Sequence, residues 1–95
     1  MQVEIITPET RIFSGEATAV QFPGLDGSFQ VLNGHAPIIS ALAAGTVKVD
    51  LVEAFHETTK TTKNITAENG GKIIKVAIKG GVMELQNNKI IVLAE

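Results

Sequence analysis

The chain has 95 residues, a formal charge of −2, a pI near 5.6 and no cysteine. That length makes one domain, 1–95, able to bury roughly 60–70% of its unfolded surface, while the missing cysteines exclude disulfides, thiolate metal sites and a Cys nucleophile. The acidic balance and the lack of Tyr and Trp weigh against a nucleic-acid partner, and neither a membrane span nor a signal peptide is visible, which reads as a soluble protein made where it works.

In chain order the sequence reads as strands. Met1 to Thr7 alternates Val3 and Ile5 with Gln2 and Glu4, and Pro8-Glu9 stops it. Arg11-Ile12-Phe13 is a short extended piece ended by Ser14-Gly15. Ala17 to Phe22 then places Thr18, Val20 and Phe22 on one face, with Ala19 and Gln21 on the other.

The segment from Phe22 to Pro37 organises the rest. Pro23-Gly24, Asp26-Gly27 and Asn33-Gly34 are turn dipeptides, in which proline presets φ and glycine accepts positive φ. Between them Phe29 and Val31 alternate with Ser28 and Gln30, as in a half-buried strand. No helix passes through so many breakers. The expectation is a strand between two rigid exposed loops, and such loops are where small domains display function.

Ile38 to Ala44 is short and flanked by Pro37 and Gly45, which favours a strand or irregular extended run over one and a half helical turns. Thr46 to Phe55 is the clearest strand, with Val47, Val49 and Leu51 facing one way; Val52 breaks the alternation, as a bulge or a change of exposure does. His56 to Gly71 suits an exposed ribbon or a flexible loop, closed by the turn Asn69-Gly70-Gly71. Asn64-Ile65-Thr66 matches a glycosylation sequon, which matters only in a secreted chain. Strands resume at Ile73 to Lys79, and Gly80-Gly81 bends the chain. Val82 to Leu85 and Lys89 to Ala94 then flank a tight hairpin at Gln86-Asn87-Asn88. Short strands at this spacing make an all-β sandwich or barrel, not βαβ units.

Little of this carries chemistry. Ser28 or Ser40 with His35 makes a conceivable hydrolase pair, but nothing in the spacing indicates a relay or an oxyanion hole. There is no nucleophile elbow and no Walker loop. The two histidines lie far apart without paired-ligand spacing, and the glycines at 24, 27 and 34 precede no helix that would receive a phosphate. A carbohydrate-binding module is a second alternative, weakened by the absence of Trp and Tyr for stacking. No catalytic residue, cofactor, metal or small-molecule substrate is expected.

Two stretches carry a resemblance. Pro8-Glu9, Phe13-Ser14-Gly15-Glu16-Ala17, Val20 and the run from Pro23-Gly24 through Asp26-Gly27, Phe29 and Val31-Leu32 to Gly34-His35-Ala36-Pro37 form the first. It continues through Leu42, Gly45, Val47 and Val49. The second runs from Lys79-Gly80-Gly81-Val82 and Glu84-Leu85 to the hairpin ending Val92-Leu93-Ala94. Together they resemble the N-terminal domain of the F-type ATP synthase epsilon subunit. Asn33 departs from it where the family commonly has proline, and His56 to Lys75 is longer than that connection usually is.

The resemblance implies a two-sheet antiparallel β-sandwich in the rotating central stalk, without catalytic residues, on the cytoplasmic face of the bacterial inner membrane. It implies docking to the gamma subunit through the segments holding Thr7, His35, Ala36 and Ser40. It likewise implies a contact of Asp26, Gly27 and Ser28 with the c-ring, in a proton- or sodium-driven machine. Family members usually continue into a pair of helices that carry regulation and, in some, nucleotide binding; this sequence stops at Glu95, so ATP binding is not carried over.

Overall fold

The computed structural model describes residues 1–55 and 65–95. It holds nine strands: β1 Gln2–Ile6, β2 Arg11–Gly24, β3 Gly27–Leu32, β4 Ile38–Leu42, β5 Gly45–Leu51, β6 Ile65–Glu68, β7 Ile73–Ile78, β8 Gly81–Gln86 and β9 Lys89–Ala94. A single 3-10 turn, Asn69–Gly71, joins β6 to β7. The sheet order is β1-β9-β8-β4-β2-β5-β7-β6, with β3 on β2 and a further β1–β2 pairing. The domain is all-β, as its turn spacing predicts.

One strand ties the layers together. The first half of β2 pairs β1, and the second half pairs β3 and β5. The two layers of the sandwich therefore share one hydrogen-bonded network instead of standing as separate sheets. Their inner faces close on a single core that includes Val3, Ile5, Phe22, Val31, Val49, Ile74, Val76, Met83, Leu85 and Ile90. The pairings are antiparallel except one: β1 runs parallel to β9, a departure from the wholly antiparallel expectation. Parallel pairing needs a long crossover, and here the whole rest of the chain supplies it.

Four local expectations are corrected. Arg11 to Gly24 is one strand of 14 residues, unbroken at Ser14-Gly15. Gly15 pairs with Val3, and a Cβ there would sit 2.8 Å from the Phe13 ring, so this glycine makes room for an aromatic side chain instead of a turn. Pro23-Gly24 is likewise strand, paired to Ser28 and Gly27. A Cβ on Gly24 would stand 2.6 Å from the Gly27 carbonyl, so close backbone approach selects it. Proline is tolerated because it sits near the strand end, where its carbonyl still accepts the Ala43 amide at 2.7 Å.

The third correction is Thr18, which is exposed and not beside Val20 in the core. The β2–β5 register shifts between Ala17 and Ala19, and this bulge turns Thr18 outward while Ala17 and Ala19 are both buried. Fourth, β5 stops at Leu51, short of Phe55; Val52 is exposed, the change of exposure that its broken alternation signals. Of the ribbon expected between His56 and Gly71, β6 and the Asn69-Gly70-Gly71 turn are described. The remainder, with Asn64 of the sequon, lies outside the described residues.

Candidate docking surface

Cross-strand pairs in a sheet share a face, so the registers lay out the outer surface of the β4-β8-β9-β1 layer row by row. One row is Ala41, Val82, Leu93, Ile6; the next is Ile39, Glu84, Ile91, Glu4. Ile39 is 70% exposed, Leu93 57% and Val82 43%. The opposite side of the same strands buries Leu42, Met83, Leu85, Ile90, Val92, Val3 and Ile5. The outer face of this layer therefore carries an apolar cluster of Ile6, Ile39, Ala41, Val82, Ile91 and Leu93 beside Glu4 and Glu84, with Gln2, Gln86 and Lys89 in the next row. A solvated antiparallel sheet normally alternates apolar-in with polar-out, and apolar outer faces mark contact surfaces.

The hairpin joining β2 to β3 makes a second feature. Phe22 and Phe29 are register partners whose rings stack at 5.3 Å, which pins the pairing. The chain reverses over Leu25-Asp26, and Gly27 follows with φ of 119°. Leu25 is 65% exposed at the tip, while its amide donates to the Ala41 carbonyl at 3.2 Å. Asp26, Gly27 and Ser28 are all exposed, displayed on a hairpin anchored at its base.

The residues expected to face gamma are not gathered in one place. His35 and Ala36 are exposed just before β4, beyond the row Ile38, Leu85, Ile90, Val3. Thr7 follows Ile6, beyond the opposite end of the layer. The Thr7 hydroxyl donates to the Thr10 carbonyl at 3.1 Å and accepts the Thr10 amide at 3.2 Å, closing the β1–β2 loop. Ser40 is half-buried on the core side of β4, opposite Met83. Beyond β4, β2 is paired only through Gly24, so Ser40 sits by a largely unpaired strand edge.

The hydrolase alternative gains nothing from this geometry. His35 Nδ1 lies 2.6 Å from the Ala36 carbonyl, which can only accept, so that nitrogen carries the proton. The Ser40 hydroxyl donates to the Ala41 carbonyl, and no Ser–His hydrogen bond occurs among the described residues. Among those residues no three His, Asp or Glu side chains converge on a metal position.

Ile39, Val82, Ile91 and Leu93 are the residues that loop-centred sequence reading passes over. Their signal is present: Ile38-Ile39 and Ile90-Ile91-Val92-Leu93 are consecutive apolar residues inside strands, which means both faces are apolar.

Fold and surface together define a β-sandwich domain with an exposed apolar cluster on one outer face and a displayed hairpin. The family described as "ATP synthase, Delta/Epsilon chain, beta-sandwich domain" matches residues 1–95, and the chain belongs to it. The chain is 38% identical to an ATP synthase epsilon chain of Desulforamulus reducens, over 99% of this chain and 58% of that one. It is 36% identical to the epsilon chain of Chlorobium limicola, over 99% of this chain and 88% of that one. The chain thus spans less than two thirds of the first relative and most of the second. In fold it is similar to a chain in the central stalk/c-ring structure of the Tetrahymena thermophila mitochondrial ATP synthase. That likeness has a TM-score of 0.70 at 16% identity, over 99% of this chain and 62% of that one. Membership makes it a β-sandwich domain of the epsilon type, like the ATP synthase epsilon chains it matches.

Proposed function

We propose that residues 1–95 act as one rotor domain of the central stalk, docked to the gamma subunit and to the c-ring, helping couple proton or sodium flow to ATP synthesis. The observation that carries this is the exposed apolar cluster of Ile39, Val82 and Leu93 on the outer face of the β4-β8-β9-β1 layer, unusual for a sheet facing water. Gamma covers that face, with His35 and Ala36 flanking it at one end, Thr7 at the other and Ser40 at the open β4 edge. Asp26, Gly27 and Ser28, with Leu25 at the tip, meet the polar loops of the c-ring. Both surfaces lie on strands or tight turns, so docking costs little ordering entropy and the sandwich turns as a unit. The chain is then peripheral to the membrane, on the cytoplasmic face of a bacterial inner membrane. No helix among the described residues is long and apolar enough to cross it.

Co-purification tests this reading. The tagged chain should retain gamma and the c-ring from a reconstituted complex. A folded chain that retains neither would overturn it.

A further inference from the structure

We infer that Glu84 is the charge-reading element of the apolar outer face: it receives a Lys or Arg side chain that the partner presents between apolar neighbours. This rests on the docking reading above and adds the chemistry the partner must carry. Glu84 lies on β8 with Ile39 as its register partner on one side and Ile91 on the other. It is exposed, and it lines two adjoining depressions. One, of about 420 Å³, includes Pro37, Ile39 and Gln86; the other, of about 280 Å³, includes Lys89 and Ile91.

The other carboxylate of the same row, Glu4, is already paired, with Arg11 Nη2 at 3.3 Å. Glu84 has no ion pair among the described residues, although Lys89 lines the same depression. Nothing about strand formation asks for glutamate here, since glutamate is disfavoured in strands. In water this carboxylate, near Lys89 but not ion-paired with it, is hydrated and harmless. A partner that covers Ile39 and Ile91 strips that hydration, and a buried unpaired charge is costly. The face therefore admits a partner whose apolar surface carries a cation at this point, and rejects one with an apolar or acidic residue there. Arginine fits best, because its planar fork can bind both carboxylate oxygens.

The test is titration of purified gamma subunit into the chain and into Glu84→Gln, Glu84→Lys and Ile39→Asp, with thermal melting of each. All should melt like the parent. Glu84→Gln should weaken binding about 10-fold and Glu84→Lys about 100-fold, in the range of central interface residues. One Lys→Glu or Arg→Glu change on gamma should restore binding to Glu84→Lys. If both Glu84 variants bind within about twofold of the parent while Ile39→Asp does not, the face docks gamma but Glu84 does not read charge. Weakening with no rescuing basic position on gamma also overturns the pairing. A folded parent chain that fails to bind gamma removes the docking reading itself, and this inference with it.

Discussion

Asn88 clamps Asn33 across one end of the β4-β8-β9-β1 layer. Its Nδ2 donates to Asn33 Oδ1 at 2.9 Å, and its Oδ1 accepts the Gly34 amide at 3.0 Å. The β8–β9 hairpin turn thereby holds the loop that leads to His35, although the two residues are 55 positions apart. A proline at position 33, common in the resembled family, offers no side-chain acceptor, so the Asn88–Asn33 half of the clamp depends on this chain's asparagine. Asn88 can reach it because it adopts φ of 59°, following Asn87 at 53°. Two consecutive left-handed residues make the tight turn that suits the twist of the hairpin strands.

Asn88→Gly keeps the left-handed turn, at no Cβ penalty, and removes the side-chain amide. Losing two exposed hydrogen bonds should cost ~1 kcal/mol, or about 4–8 °C in melting temperature for a domain of this size. Asn88→Ala keeps a Cβ at φ of 59° without the polar side chain that helps Asn tolerate the left-handed region, and should be the less stable of the two by ~1–2 kcal/mol. Equal melting of the two variants would show that the turn conformation carries no strain.

Gly27 and Gly34 have φ of 119° and 83°, and a Cβ on either would meet no atom within 4 Å. Gly→Val at either position should therefore destabilise through backbone strain alone, by ~1–3 kcal/mol. Gly81 is harsher: at φ of 147° a Cβ would come within 2.2 Å of the Leu93 carbonyl oxygen. Gly81→Ala should separate β8 from β9 and cost more than ~3 kcal/mol. Chemical denaturation ranks the three; a Gly81 variant as stable as the others would contradict the close approach.

Surface variants should separate docking from folding. His35→Ala, and the double change Asp26→Lys with Ser28→Lys, alter exposed side chains and should shift stability by less than ~0.5 kcal/mol. The first should weaken retention on gamma and the second on the c-ring, each by ~2 kcal/mol if its residue is central to the contact. Normal melting with normal retention in both would move the interfaces elsewhere on the sandwich.

The chain should not bind ATP in the micromolar range. Gly24, Gly27 and Gly34 build a hairpin and a turn, and each is followed by loop or strand, so none opens onto a helix N-terminus that would hold phosphates. Saturable micromolar binding in calorimetry would refute this.

Most of the strands were legible because period-two alternation is local: Val47, Val49 and Leu51 are buried as their spacing requires. The Asn87-Asn88 turn and the positive φ at Gly27 and Gly34 were legible too, since turn chemistry is written in neighbouring residues. The residues that match the epsilon family are likewise a property of the chain alone. What the sequence left open depends on partners distant in the chain. Gly15 and Gly24 look like turn residues until the Phe13 ring and the Gly27 carbonyl are in place, and only then is their role as close-approach positions visible. Thr18 leaves the core because β5 pairs across a bulge, a register that no single strand encodes. The apolar outer cluster was half legible: Ile90-Ile91-Val92-Leu93 declares apolar residues on two sides, but not which neighbours extend them. The tertiary structure set Ile39, Val82, Ile91 and Leu93 on one surface with Glu84 among them, because hydrogen-bonded register decides which side chains stand together.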